Sequence, residues 1–477
     1  MTIALWTAAE AAAATGGQAI GDWDVLGISI DTRSLQQGDL FVALQDVRDG
    51  HDFVAQALKN GAGAALVSHR PDGVEETAPL LIVANVVKAL EDMGRAARTR
   101  SDAKIVGVTG SVGKTSTKEM LRTVLQRQGK CHAAEKSFNN HWGVPITLAQ
   151  MPQDTDFAVI EIGMNHPGEI APLAALSGPD VALITTVAAA HMEAFENIEG
   201  IAHEKAAIFT ALTTNGTAIY NADVQTASVL ADAAVKSGAQ ISTFGKTPGS
   251  DYQLEQLTLS SDATVMKANA NGLDVIFKLS QPAPHFALNA LGVLAVVDAL
   301  GADIGLAAAD LAKWSPPAGR GTKETVQLDT AEAEMSIELI DDAFNANPVS
   351  MAAALEVLAV SIPVNGIGRI GKGRRIAILG DMLELGPEED DIHRGLADHP
   401  AMASINKIHC VGTRMKHLWD ALPAEKKGEW AANADVLVAS AHQLLDAGDV
   451  VLVKGSKGSY VSRVADAIRK LERKAEI

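Results

Sequence analysis

KIVGVTGSVGKTS, residues 104–116, reads as a strand running into a glycine turn and out into a helix that continues to about Gln128. Glycine lets the backbone curl until successive N–H groups point at one phosphate group, and the helix behind the turn aims its positive end at the same place. Gly110, Ser111, Val112, Gly113, Lys114, Thr115 and Ser116 are therefore the candidate nucleotide-phosphate loop. Lys114 supplies a point charge and the Thr115 hydroxyl a ligand for Mg²⁺. An ordinary strand-to-helix turn is the plain alternative, and the order of strand, loop and helix argues against it. The spacing is unusual: only two residues separate Gly110 from Gly113, where the common phosphate loop has four, and Val108 stands where a glycine is expected.

Outward from this stretch the chain divides into three expected domains, an α/β fold throughout. Residues 1–100 form a small α/β domain with short strands LFVAL (40–44) and AALV (64–67). It opens with a helix signalled by the capping-box pair Thr7 and Glu10 and stopped by Gly16-Gly17. Residues 101–318 form the phosphate-loop domain, with FAVIEIG (157–163), DVALITTV (180–187) and TAIYN (217–221) as strands of a parallel sheet buried on both faces. Residues 251–279 alternate in character around Asn271-Gly272, which predicts an antiparallel hairpin appendage. The Pro- and Gly-rich segment 313–323 reads as a linker. Residues 319–477 form a Rossmann-like α/β domain with strands RIAILG (375–380), KIHCVG (407–412) and VVLVKG (450–455), and NGIGRIGKGRR (365–375) as a surface loop.

Composition narrows the partners. Lys and Arg total 40 against 58 Asp and Glu, a net charge of −18, which repels nucleic acid and anionic lipid surfaces. No apolar run reaches the roughly 18 residues of a membrane span, and the first residues lack the basic start of a secretory signal. Two cysteines, Cys131 and Cys410, supply neither a disulfide framework nor a four-thiolate metal site, so a cytoplasmic location is expected.

The shortened loop, TGxxGKT, resembles that of the Mur ligases and their folate-polyglutamating relatives, and further strings extend the resemblance over nearly the whole chain. IDTRSLQQGDLFVAL (30–44) and DGHDFVAQAL (49–58) resemble the family's UDP-sugar segment, which implies that Thr32, Arg33 and Ser34 bind substrate. NNHWGVPITL (139–148) is similar to the segment that follows the loop, with Asn139 and Asn140 as polar contacts. Glu161 ends its strand where a carboxylate can hold Mg²⁺. AAAHMEAFENIEGIAHEKAAIF (188–209) is similar to the metal and carbamate segment, implying that His191 holds a second Mg²⁺ and that Lys205 takes up CO₂ as an anionic carbamate.

The family's Gly-Arg-His-Asn stretch is only partly kept: His285 and Asn289 remain, while Ala283, Pro284 and Phe286 replace the glycine, the arginine and the first asparagine. Arg320 matches an arginine that reaches the nucleotide from the domain junction. DDAFNANPVSM (341–351) resembles the signature of the members that join D-alanyl-D-alanine to a UDP-N-acetylmuramoyl-tripeptide, with Asp342 on the nucleotide and Asn345 and Asn347 shaping the substrate cleft. GDMLELG (380–386), His393 and LVKGSKG (452–458) complete the match, expected near the incoming dipeptide.

The resemblance implies an ATP-dependent amide ligase that works as a monomer, with ATP, two Mg²⁺ ions and the Lys205 carbamate. Lys114, Lys205 and His191 are its candidate catalytic residues, and Thr115, Glu161, His191 and Lys205 its metal ligands. The alternatives are a family member that adds a single amino acid, a phosphate-loop phosphotransferase, and a nucleotide-binding protein without catalysis.

Overall fold

Strands that are apolar on both faces need helices on both sides, and the central sheet is built that way. In the computed structural model, which describes residues 4–471 apart from Val47, Ser261, Pro282, Ala283, Thr330, Ala331 and Ala333, this sheet has nine strands. Six are parallel and run across the sheet as Cys131–Ala133, Phe157–Glu161, Lys104–Thr109, Val181–Ile184, Thr217–Asn221 and Gln240–Gly245. Val106 and Val108 pack one face against Leu121 and Val124 of the helix Lys114–Leu125 and Leu291 and Leu294 of the helix Pro284–Ala299. Ile105 and Ile160 face the other side, among Leu173, Ala174 and Ile201.

The expected antiparallel appendage is present, and it continues this sheet. Tyr252–Leu259 joins the edge in parallel with Gln240–Gly245, then pairs antiparallel with Thr264–Ala270, which pairs with Leu273–Leu279. Asn271 and Gly272 hold φ of 52° and 88°, the two left-handed positions that a tight hairpin turn requires.

The first unit carries a five-stranded sheet in the order Gln18–Ile20, Leu80–Ile82, Ala64–Val67, Asp39–Val42, Gly27–Ser29. Its opening helix, Ala8–Thr15, has the reciprocal Thr7–Glu10 capping box and ends at Gly16 in the left-handed conformation. Trp6 fastens this unit to the centre: its indole N–H donates to the Ala149 carbonyl at 2.8 Å, with the Arg100 guanidinium 3.9 Å from its ring centroid.

The third unit has a six-stranded sheet in the order Thr322–Gln327, Ser336–Asp342, Val450–Lys454, Arg375–Gly380, Lys407–Val411, Lys427–Ala431, parallel except for the first pairing. The three strands read from sequence are consecutive in it. Thr322–Gln327 begins inside the segment read as a linker, because its charged, alternating residues suit a sheet edge. Residues 365–374 form no regular element, as expected of a loop, yet acidic anchors fix it: the amides of Arg369 and Ile370 donate to Asp446, and Arg374 pairs with Asp449 at 2.6 Å.

In both larger sheets the parallel strands end toward a shared cleft, where loops and helix starts gather polar groups. The hairpin gives a direct check. Gly272→Ala forces a β-carbon into the left-handed region at a cost of about 1–2 kcal/mol, so hydrogen exchange of residues 264–279 accelerates about five- to thirtyfold. Unchanged exchange would show that the turn does not set the hairpin's local stability.

Candidate active site

The phosphate loop takes its shape from two glycines that no other residue replaces without strain. Gly110 has φ of 153°, and a β-carbon there would lie 2.0 Å from the Thr185 hydroxyl; Gly113 has φ of 90° and would meet the Asn289 amide at 2.8 Å. Asn289 thus packs on the loop itself. The Ser111 hydroxyl donates to the Ala188 carbonyl and accepts from the Ala188 amide, both at 3.0 Å, and Thr185 donates to the Val112 carbonyl at 2.6 Å. Gly113 caps the helix Lys114–Leu125 without any side-chain cap, leaving the first-turn amides for a ligand. The Lys114 ammonium folds back onto the Gly110 carbonyl at 2.6 Å, and burial lowers its pKa against the pull of Glu161.

Glu161 is the hub. It is 2% exposed, and one oxygen, Oε1, accepts from Ser137 at 2.7 Å, Asn139 at 2.8 Å and Thr115 at 3.0 Å. The other, Oε2, is buried with no hydrogen-bond partner in the structure. A bare buried carboxylate oxygen beside a threonine hydroxyl and a phosphate loop fits Mg²⁺, which takes one or two carboxylates and completes its shell with phosphates and water. Among the described residues no group of three or more His, Cys, Asp or Glu could by itself cage a metal. Ser137 was not legible in the sequence, since nothing local distinguishes it. Lys118 was also missed, although it lies one turn beyond Lys114; fully buried, it donates to the carbonyls of Ala134 and Lys136 and so holds the segment that delivers Ser137.

Opposite the loop, the third unit supplies Asp342 and Lys454, register partners at the ends of adjacent strands, paired at 2.7 Å. Burial raises the pKa of Asp342 while Lys454 opposes the rise. Arg320 stacks its guanidinium 4.2 Å from the Phe344 ring centroid, and burial lowers its pKa against the attraction of Glu161 and Asp342. Asn347 is the N-cap of the helix Pro348–Val360, accepting from Ser350, and the Asn345 carbonyl accepts from Lys454 at 3.0 Å.

Together these groups enclose a cavity of about 270 Å³. The loop residues Ser111 to Ser116 line it, as do Asn139, Asn140, Glu161, His191, Arg320, Asp342, Asn345 and Asn347; Gly110, Asn289 and Lys205 do not. Phe286 also lines it, edge-on to Trp314 at 4.8 Å, so an apolar ring occupies the position of the family's asparagine. Of the other substitutions in that stretch, Ala283 lies outside the described residues.

A second cavity, of about 550 Å³, lies between the first and central units, lined by Thr32, Arg33, Arg48 and Trp142. Ser34 is not on it. Arg33 is 88% exposed and tied to Asp31 at 2.7 Å, which holds the Asp31 carboxyl down at about 2. The run Asn139-Asn140-His141-Trp142 puts its first two residues on the smaller cavity and its last two on the larger.

His191 and Lys205 complete the predicted set. Lys205 is 1% exposed, and among the described residues no carboxylate forms an ion pair with it; burial and the nearby Lys114 charge hold its amine well below the usual lysine range. His191 adopts φ of 58° and its Nδ1 lies 2.5 Å from Glu384 of the third unit. Burial lowers its pKa, and the Glu384 carboxylate opposes that shift.

Comparison with known proteins matches three family signatures to the chain: the Mur ligase middle domain over residues 108–297, the Mur ligase, glutamate ligase domain over 328–457, and the Mur ligase family, catalytic domain over 24–100. A relative from Escherichia coli strain K12 named UDP-N-acetylmuramoyl-tripeptide--D-alanyl-D-alanine ligase is 35% identical, covering 93% of each chain. One of the same name from Rickettsia prowazekii strain Madrid E is 33% identical over 92% of this chain and 94% of its own. Among solved structures, MurF from Acinetobacter baumannii superposes with a TM-score of 0.80 at 26% identity, covering 98% and 99% of the two chains. MurF ligase from Thermotoga maritima in complex with ADP gives 0.74 at 25% identity, covering 93% and 97%.

The buried lysine predicts a pH-dependent stability. With its folded pKa below the unfolded value of about 10.4, the folded chain binds fewer protons and gains stability as pH rises toward that value. Lys205→Met should therefore raise the urea midpoint at pH 7 in bicarbonate-free buffer, with the gap to wild type closing near pH 10. Equal midpoints across that range would contradict the buried, uncompensated amine.

Proposed function

The chain belongs to the Mur ligase family, and from that premise we propose how its two cavities divide the work of an ATP-dependent ligase that joins D-alanyl-D-alanine to a UDP-N-acetylmuramoyl-tripeptide in peptidoglycan precursor synthesis. The observation that carries the reading is the orphaned Glu161 oxygen beside Thr115 and Lys114. The larger cavity takes the UDP-sugar, with Thr32 and Arg33 toward its diphosphate, and the peptide runs past His141 and Asn140 into the smaller one. Residues 1–100 hold the UDP end, residues 101–318 the ATP phosphates and residues 319–477 the incoming dipeptide. Each sheet lying wholly within one unit supports the division. Every group in the scheme comes from one chain, so a monomer suffices.

A carboxylate is a poor electrophile, and transfer of the γ-phosphate to the tripeptide's terminal carboxylate turns it into an acyl phosphate. The dipeptide amine then adds to the carbonyl, and the tetrahedral intermediate expels inorganic phosphate. The work of the protein is positioning and charge stabilisation. Lys114 exchanges the Gly110 carbonyl for a phosphate oxygen, and the free amides at the start of its helix take others. Arg320, partly desolvated on Phe344, neutralises charge from the opposite wall.

The enzyme uses ATP and Mg²⁺. Bound Mg²⁺ supplies Lewis-acid polarisation of phosphate oxygens, and Thr115 and Glu161 would hold one ion. His191 and a Lys205 carbamate would hold a second. Carbamate formation needs a neutral amine, which combines with CO₂ and releases one proton, and burial shifts Lys205 toward that form. No helix among the described residues is long and apolar enough to cross a membrane, and the two free cysteines suit the reducing cytoplasm, where we place the reaction.

Phosphate release measured with UDP-linked dipeptide or tripeptide acceptors, against D-alanyl-D-alanine or single amino acids, tests the assignment. Turnover is expected only for the tripeptide with D-alanyl-D-alanine. Turnover with a single amino acid would move the chain to another step of the family, and phosphate transfer without an amine would make it a phosphotransferase. Lys205→Ala should lose most activity and regain part of it with short carboxylates; full activity would remove the carbamate.

A further inference from the structure

Two residues other than glycine in the left-handed region face each other across the cleft between the central and third units. His191 has φ of 58° and Glu384 φ of 63°, a conformation that is uncommon for either residue and persists only where surrounding contacts enforce it. They are joined twice: Glu384 Oε2 lies 2.5 Å from His191 Nδ1, and the Met192 amide donates to the Glu384 carbonyl at 3.0 Å.

Each side of this contact is held rigidly by its own unit. Behind Glu384, the Met382 amide donates to Nε2 of the buried His393 at 3.0 Å, and the Leu383 amide to the Ser456 hydroxyl at 3.0 Å. Met382 and Leu385 are buried, so the loop presents the carboxylate from a fixed base, with the side chain itself 53% exposed. Behind His191, Ser111 of the phosphate loop holds both polar groups of Ala188, three residues away. The imidazole therefore sits between a loop that belongs to the phosphate site and a carboxylate that belongs to the third unit.

We propose that Glu384 is a positioning residue for His191: it accepts the Nδ1 proton, fixes the ring in the tautomer with its lone pair on Nε2, and supplies that orientation only when the third unit is docked. A carboxylate behind an imidazole fixes the ring and raises its basicity as a ligand, and removing such a partner commonly weakens metal affinity about 10- to 100-fold. Docking of the dipeptide-binding unit then becomes a condition for a complete phosphate site, which limits loss of the acyl phosphate to water before the amine is in place. The inference rests on the proposed role of His191 in holding a cation, and its test separates the two.

Glu384→Asn keeps a residue that tolerates the left-handed backbone but is one methylene too short to reach His191, and Glu384→Gln keeps an acceptor at full length. Two readouts are needed: nitrogen-15 NMR of the imidazoles, with the His191 signal identified by its absence in His191→Gln, and Mn²⁺ binding by electron paramagnetic resonance with a nonhydrolysable ATP analogue. Wild type should show a single Nδ1-protonated tautomer. Glu384→Asn should show averaged nitrogen shifts and Mn²⁺ affinity about 10- to 100-fold weaker, with Glu384→Gln substantially restored in both. An unchanged His191 tautomer in Glu384→Asn overturns the proposal. A changed tautomer with unchanged Mn²⁺ affinity upholds the positioning role and overturns His191 as a ligand.

Discussion

One carboxylate sets the geometry on which the site depends. Glu161 is buried with three donors on one oxygen and none on the other, and leaving such an oxygen unpaired costs on the order of 1–3 kcal/mol or more for a charged group. The three donors come from the helix after the phosphate loop and from the segment around residues 137–139. Strand register brings them together: Phe157–Glu161 lies parallel beside Lys104–Thr109 with Glu161 opposite Val108, so the carboxylate emerges beside the turn that holds phosphates. The bare oxygen has the chemistry that suits a cation.

The same logic explains three buried lysines and the half-buried Lys114. Lys118 is satisfied by carbonyls and by Glu119 at 2.9 Å, Lys454 by Asp342 and the Asn345 carbonyl, and Lys114 by the Gly110 carbonyl, which a ligand can displace. Lys205 has no carboxylate in ion-pair contact among the described residues. A lysine buried without a counter-charge favours the neutral amine over the ammonium. Lys114 and Lys454 line the cleft from opposite units, and Lys118 holds the segment that delivers Ser137.

Local patterns were legible in the sequence because local physics decides them. The Thr7–Glu10 capping box, the Asn271-Gly272 turn and the strand, glycine loop and helix at residues 104–125 need only neighbours in the chain. The strands Thr322–Gln327 and Lys427–Ala431 were missed, being polar edges whose pairing partners supply most of their definition. Convergence over distance was equally hidden: Ser137 has no pattern around it, and the meeting of His191 with Glu384 spans 193 residues. Asn347 shows how one residue can be read two ways, since it caps a helix and also lines the cleft. Ser34, grouped with Thr32 and Arg33 by adjacency, does not line their cavity, because adjacent residues in a loop need not share a surface.

The central claim is that this cleft delivers the γ-phosphate to a peptide carboxylate, and oxygen bookkeeping tests it most directly. With both oxygens of the tripeptide's terminal carboxylate labelled with oxygen-18, an acyl phosphate retains one of them as its bridging oxygen. Amine attack then leaves that oxygen on the phosphate. Mass spectrometry of the phosphate released in one turnover should find one oxygen-18 atom per molecule. Unlabelled phosphate from a reaction that still forms the peptide bond would contradict the account.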